Sequence, residues 1–64
     1  MIIQVMKKGK TEGYVKSINY NACETKLTDD KSNAKKYSSE DKVHYDIDFL
    51  SKVYGNSEYV FIYE

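Results

Sequence analysis

The stretch SSEDKVHYDIDFLSKVYG, from Ser38 to Gly55, constrains the fold more than any other part of the chain. At about 100° per residue, Val43, Ile47, Leu50 and Tyr54 fall within a narrow arc, an apolar stripe that needs a surface to cover. Ser38-Ser39-Glu40-Asp41 fits the S-x-x-D capping pattern, with Ser38 accepting an amide hydrogen bond, and Gly55 is a good left-handed stop. The spacing predicts a helix from about Ser39 to Tyr54. A single helix of this kind covers one face of a sheet.

The remaining segments read as that sheet. MIIQVM is a strand, and KKGKTEG, with glycines at 9 and 13, is a turn. GYVKSINY alternates, placing Tyr14, Lys16, Ile18 and Tyr20 on one side and Val15, Ser17 and Asn19 on the other. After the corner NYNA, the segment CETKLT puts Cys23, Thr25 and Leu27 on one face. Thr28 is then a candidate cap for a short helix of one or two turns. Asp29 and Asp30 fall in its first turn and Lys35 and Lys36 in its last, matching the helix dipole at both ends. SEYVFIY closes the chain as a strand, with Tyr59, Phe61 and Tyr63 opposite Val60 and Ile62, and is placed beside the first strand. The expectation is one α+β domain over residues 1–64: an antiparallel sheet in the order β-β-β-α-β. One main helix packs on one face, with a short extra helix before it.

Composition removes several functions. One cysteine, Cys23, and one histidine, His44, leave no basis for a disulfide or metal staple, and Cys23 reads as a small buried hydrophobe. MII and VFIY are too short to span a bilayer, and the N-terminus lacks the pattern of a signal peptide, so a cytoplasmic location is expected. All ten basic residues are lysines. Without the planar fork of arginine, sequence-specific reading of DNA is disfavoured. Net charge is zero, yet residues 1–36 carry eight lysines against four acids, and residues 37–64 carry two lysines against six acids. Such asymmetry either marks a partner surface or is neutralised within the fold.

No hydrolase elbow, phosphate loop or zinc-protease motif is present, and Cys23 and His44 have no third group to orient them. Asp41, His44 and Asp48 share a helical face with ligand-type side chains, but the reading adopted is a solvated acidic face. Asp46 and Asp48 diverge along the helix. The expectation is a non-enzymatic protein without cofactor or metal.

The residues Thr28, Asp30, Ala34, Lys35, Tyr37 and Ser39 match a "T-x-D/N, then A-K-x-[FY]-x-[ST]" pattern. In this the chain resembles short proteins encoded by phages and prophages of low-GC Gram-positive bacteria, over about half its length. The resemblance implies a phage or mobile-element origin and supplies no catalytic residues. Small phage proteins of this sort often inhibit host defence or replication enzymes. The expected partner is therefore a host protein, such as a Cas or other defence nuclease, bound in the manner of an anti-CRISPR inhibitor.

The candidate contact surface lies off the core stripe. Tyr45 and Phe49 form an i,i+4 aromatic pair at about 200° and 240° from Val43. Asp41, Asp48 and Lys52 surround them, giving an apolar centre with a charged rim, and Glu40 with Asp41 and Asp48 makes the helix acidic enough to enter a Lys/Arg-lined groove. A neighbouring loop over Phe49, or a homodimer sealed by it, is the competing reading. The alternative function is binding of single-stranded nucleic acid, with Lys7, Lys8 and Lys10 following a backbone and Tyr14 and Tyr20, or Tyr59 and Tyr63, stacking bases. Zero net charge and the acidic second half weigh against it.

Overall fold

The computed structural model of the protein describes residues 1–55 and 58–64. Its elements are β1 (Ile3–Lys7), β2 (Lys10–Asn19), β3 (Glu24–Thr28), a 3-10 turn (Lys31–Asn33), α1 (Glu40–Tyr54) and β4 (Tyr59–Tyr63). The strands form one antiparallel sheet in the order β3-β2-β1-β4. This is the expected α+β architecture, with the last strand beside the first. The expected final strand began at Ser57, which lies outside the described residues.

One side of the sheet carries the core. Ile3, Val5, Val15, Tyr37, Val43 and Leu50 are buried together, with Ile18, Leu27, Ile47, Tyr54, Tyr59, Phe61 and Tyr63 packed around them. The helical stripe is therefore the one that the periodicity places, and β4 keeps its alternation, since Val60 and Ile62 are exposed. Gly55 ends the helix in the left-handed conformation, and its amide donates to the Ser51 carbonyl.

β2 departs from simple alternation at two bulges. Val5 pairs with Gly13 but Met6 with Thr11, leaving Glu12 unmatched. Val15 pairs with Leu27 but Ser17 with Lys26, leaving Lys16 unmatched. A bulge inserts one residue and flips the phase that follows. Val15 and Ile18 consequently both face α1, and Tyr14 lies on the opposite face from Tyr20. Strict alternation had grouped Tyr14 with Ile18 and Tyr20.

The β1–β2 turn is tighter than expected. Lys8 and Gly9 alone form it, with φ of 51° and 79°, as a two-residue hairpin of the I′ kind requires. Gly13 belongs to β2, where β3 approaches closely: a Cβ there would lie 3.1 Å from the Thr28 carbonyl oxygen. Cys23 is exposed in the β2–β3 turn with φ of 53°, outside β3. It is not the buried hydrophobe that its residue type favours, because the turn needs a left-handed residue at its end.

The connector from Thr28 to Ser39 is only one 3-10 turn. Thr28 Oγ1 accepts from the Asp30 amide, and Asp30, not Thr28, caps the turn by accepting from the Ser32 amide. Lys36 reaches back to the carbonyls of Lys31 and Ala34 at 2.8 and 3.2 Å, adding a charged donor where the turn ends. The chain then stays extended and straps the end of the sheet. Lys35 N–H donates to Val15 O at 2.8 Å, and Tyr37 N–H donates to Met1 O at 2.8 Å. Ser39, one residue later than expected, caps α1 by accepting from the Lys42 amide.

Candidate functional site

α1 carries a carboxylate on the flank of its apolar stripe. Asp46 lies three residues after Val43 and four before Leu50, so it turns inward and is 2% exposed. Burying an ion is costly unless partners satisfy it. Three do so. Its Oδ1 accepts from the Tyr20 hydroxyl at 2.5 Å, and its Oδ2 accepts from the Tyr37 hydroxyl at 2.5 Å and from Lys35 Nζ at 3.1 Å. Lys35 Nζ also lies 5.0 Å from the Tyr37 ring centre and 5.7 Å from that of Tyr20. The network ties the end of β2, the connector and α1 to one acceptor.

The electrostatics follow from that geometry. Burial pushes the Asp46 carboxyl up, but the hydrogen bonds from Tyr20, Tyr37 and Lys35, with the Lys35 charge, outweigh it and hold the group below the ordinary carboxylate range. Burial also lowers the Lys35 ammonium, and its bonds to Asp46 and Tyr20 reverse that and raise it. Tyr37 is pushed well above the usual phenol range, by burial first and then by its bond to Asp46.

Beside this network lies an open cavity of about 560 Å³, bordered by Tyr20, Tyr37, Tyr45, Asp41 and Lys42. Tyr45 stands at its rim, 69% exposed, the most exposed of the large hydrophobic side chains. Its ring centre is 6.3 Å from that of Tyr20, and Tyr20 meets Phe49 edge-on at 4.9 Å. Phe49 is thus half-buried, covered by Tyr20 from the end of β2. The expected pair divides into an exposed ring, Tyr45, and a half-buried one, Phe49.

Glu40, Asp41, Asp48 and Lys52 are all exposed. Among the described residues the ion pairs are Lys8–Glu58 at 3.6 Å, Lys31–Glu64 at 2.7 Å and Lys35–Asp46 at 3.1 Å. Each joins a lysine of the basic half to an acid of the acidic half. The fold therefore neutralises part of the asymmetry and leaves Glu40, Asp41 and Asp48 outside any of these pairs.

Other candidate groups stay apart. Among the described residues no three His, Cys, Asp or Glu side chains are placed to hold a metal ion. His44 rests edge-on against Tyr63 of β4 at 5.4 Å, whereas Cys23 lies in the turn leading to β3, at the opposite side of the sheet. Asp48 is exposed while Asp46 is buried, so the D-x-D carboxylates do diverge. Lys7, Lys8 and Lys10 flank the β1–β2 turn, with Lys7 Nζ 5.2 Å from the Tyr59 ring centre. Tyr59 itself packs on Tyr54 at 4.6 Å, and Tyr14 lies beneath Lys31 at 5.6 Å. Tyr14 and Tyr20 are not brought onto one face.

Sequence reasoning missed Asp46, Lys35, Tyr37 and the pairing role of Tyr20. The available signal was a carboxylate beside the apolar stripe, since such a residue needs donors from elsewhere in the fold. The chain matches no protein-family model, and neither a curated protein nor a solved structure is significantly similar to it. No helix among the described residues is long and apolar enough to cross a membrane.

Proposed function

We propose that this chain is a small phage or mobile-element protein that works without catalysis, by binding a host protein and inhibiting it. The target class is a bacterial defence nuclease, in the manner of an anti-CRISPR inhibitor. The observation that carries the reading is Tyr45: a largely exposed aromatic ring whose centre lies 6.3 Å from that of Tyr20, with the exposed Asp41 and Asp48 one helical turn to either side. An aromatic side chain brings a large contact area with only two rotatable side-chain bonds, so it loses little entropy on docking, which is why such residues anchor interfaces. Glu40, Asp41 and Asp48, which stand outside the ion pairs among the described residues, suit a groove lined by Lys and Arg, such as one that otherwise holds nucleic acid. The phage origin rests on the resemblance carried by Thr28, Asp30, Ala34, Lys35, Tyr37 and Ser39.

The test is capture of partners by tagged protein from a Gram-positive host that carries an active defence nuclease, with and without nuclease treatment. A retained nuclease subunit that survives the treatment, and is lost with Tyr45→Ala or Asp41→Lys, supports the proposal. Material lost on treatment would instead point to nucleic-acid binding. Unaltered capture by both variants would remove Tyr45 and Asp41 from the interface.

A further inference from the structure

The two edges of the sheet differ. β3 carries the exposed charges Glu24 and Lys26, the usual protection of an open edge. β4 reads Tyr-Val-Phe-Ile-Tyr, with no charge and no proline between its ends, and exposes Val60 (52%) and Ile62 (43%) on the face away from α1. Its backbone phase is fixed by β1. Ile2 and Glu64 exchange both amide bonds, at 2.9 and 3.1 Å, and Lys8 donates to Glu58 at 3.3 Å. Antiparallel alternation then turns the even positions of β4 toward β1 and the N–H and C=O groups of Tyr59, Phe61 and Tyr63 outward. Among the described residues no hydrogen bond reaches those outward groups.

We propose that β4 is the seam of a homodimer, two copies pairing antiparallel through their β4 edges about a two-fold axis at Phe61. The strand is complementary to itself. Centring on Phe61 sets Tyr59 against Tyr63 of the second copy and Phe61 against its own counterpart. Every outward amide and carbonyl thus meets an outward partner, giving about six hydrogen bonds. The same register sets Val60 opposite Ile62 of the second copy at a non-hydrogen-bonded position, with Cβ atoms about 4.5–5.5 Å apart. The exposed aliphatic side chains thereby cover one another. At each end Glu58 faces Glu64 of the second copy. These carboxylates do not oppose the seam as bare charges, because Lys8 lies 3.6 Å from Glu58 and Lys31 2.7 Å from Glu64. A register shifted by one residue would set outward groups against inward ones. The surface is separate from the Tyr45 site, so the dimer carries that site twice.

The seam is short, which places its dissociation constant in the micromolar range or weaker. The experiment is sedimentation equilibrium on the whole chain from roughly 10 μM to 1 mM, with amide exchange followed by NMR at both limits. A concentration-dependent dimer is expected, with Tyr59, Phe61 and Tyr63 amides gaining at least about tenfold protection as it forms. Val60→Lys with Ile62→Lys should give a monomer, as should Val60→Glu with Ile62→Glu, and mixing the two variants should restore the dimer. The last result also shows that neither variant merely unfolds. A single monomeric mass at all concentrations would overturn the proposal. So would a dimer that leaves the three amides unprotected, one that persists in both charged variants, or protection that arises only when another protein is added.

Discussion

The Tyr37 hydroxyl and Asp46 Oδ2 are joined by a 2.5 Å hydrogen bond between two buried side chains, 6% and 2% exposed. Tyr37 comes from the extended connector and Asp46 from α1, so the bond fixes the strap to the helix. Tyr37→Phe keeps the ring and removes one donor to a buried carboxylate, which should cost about 1.5–3 kcal/mol. Asp46→Ala strips all three donors of their acceptor and should cost more, about 3 kcal/mol, at the low end for a broken buried pair because Lys35 is partly exposed. Urea unfolding reads both as lower midpoints at unchanged slope. A Tyr37→Phe variant with the wild-type midpoint would deny the bond any part in stability.

The same network sets the dependence of stability on pH. Asp46 is depressed in the folded state, because the bonds from Tyr20, Tyr37 and Lys35 outweigh the upward push of burial. Its contribution is present above the unfolded carboxyl value near ~3.9 and is lost as pH falls through the lower folded value. Lys35 and Tyr37 are raised, so their contribution is present below roughly pH 10 and is lost as pH climbs through their folded values. Urea midpoints across the pH range should therefore show a plateau with an acid and an alkaline limb. Asp46→Asn should flatten the acid limb, and an unchanged acid limb in that variant would assign it to other carboxylates.

Local pattern was enough for some of this and not for the rest. The Val43, Ile47, Leu50, Tyr54 stripe, the Gly55 stop and the alternation in β4 each depend on neighbours within one element, and all are legible in sequence. Two successive serines both fit a cap, and only the geometry of the entering strap selects Ser39. The bulge at Lys16 has no composition of its own, since it arises where β3 pairs with β2, and it reverses the facing of Tyr14. The Tyr20–Asp46 bond joins residues 26 apart in sequence, so no periodicity reports it. For the same reason the sequence leaves open whether Phe49 is free or covered, and it is Tyr20 that covers it.

The close approach of β2 and β3 can be tested at one position. Gly13 has φ of 150°, and a Cβ there would lie 3.1 Å from the Thr28 carbonyl oxygen and 3.3 Å from the Leu27 Cβ. Both are tighter than ordinary contacts, and neither neighbour is a flexible tip. Gly13→Ala should destabilise by more than about 1 kcal/mol despite reducing the entropy of the unfolded chain. A gain in stability would mean that the strands separate without cost.

Cys23 offers the opposite expectation. It is exposed and holds φ of 53°, a conformation that costs a residue with a Cβ about 1 kcal/mol, and less for Asn. Cys23→Asn should stabilise the fold by a few tenths to about 1 kcal/mol. In the folded wild type the thiol should react with a disulfide reagent about as fast as in urea, because it is exposed. A protected thiol would place Cys23 in contact with another part of the chain.

Three substitutions along α1 separate binding from folding. Leu50 is fully buried, and Leu50→Ala should cost about 2–5 kcal/mol. Phe49 is half-buried against Tyr20, so Phe49→Ala should cost about 1–2 kcal/mol through lost apolar contact. Tyr45 is 69% exposed, and Tyr45→Ala should change stability by less than about 0.5 kcal/mol. Affinity for the captured partner should follow a different order. Tyr45→Ala should weaken it by about 2 kcal/mol, roughly thirtyfold, as truncation of an interface anchor does. Phe49→Ala should weaken it less, by loosening Tyr20 beneath the anchor, and Leu50→Ala should act only in proportion to the protein it unfolds. Calorimetric titration of each variant, alongside its urea midpoint, gives the two orders. If affinity simply tracked stability across the three, Tyr45 would be an ordinary surface residue and the contact would lie elsewhere.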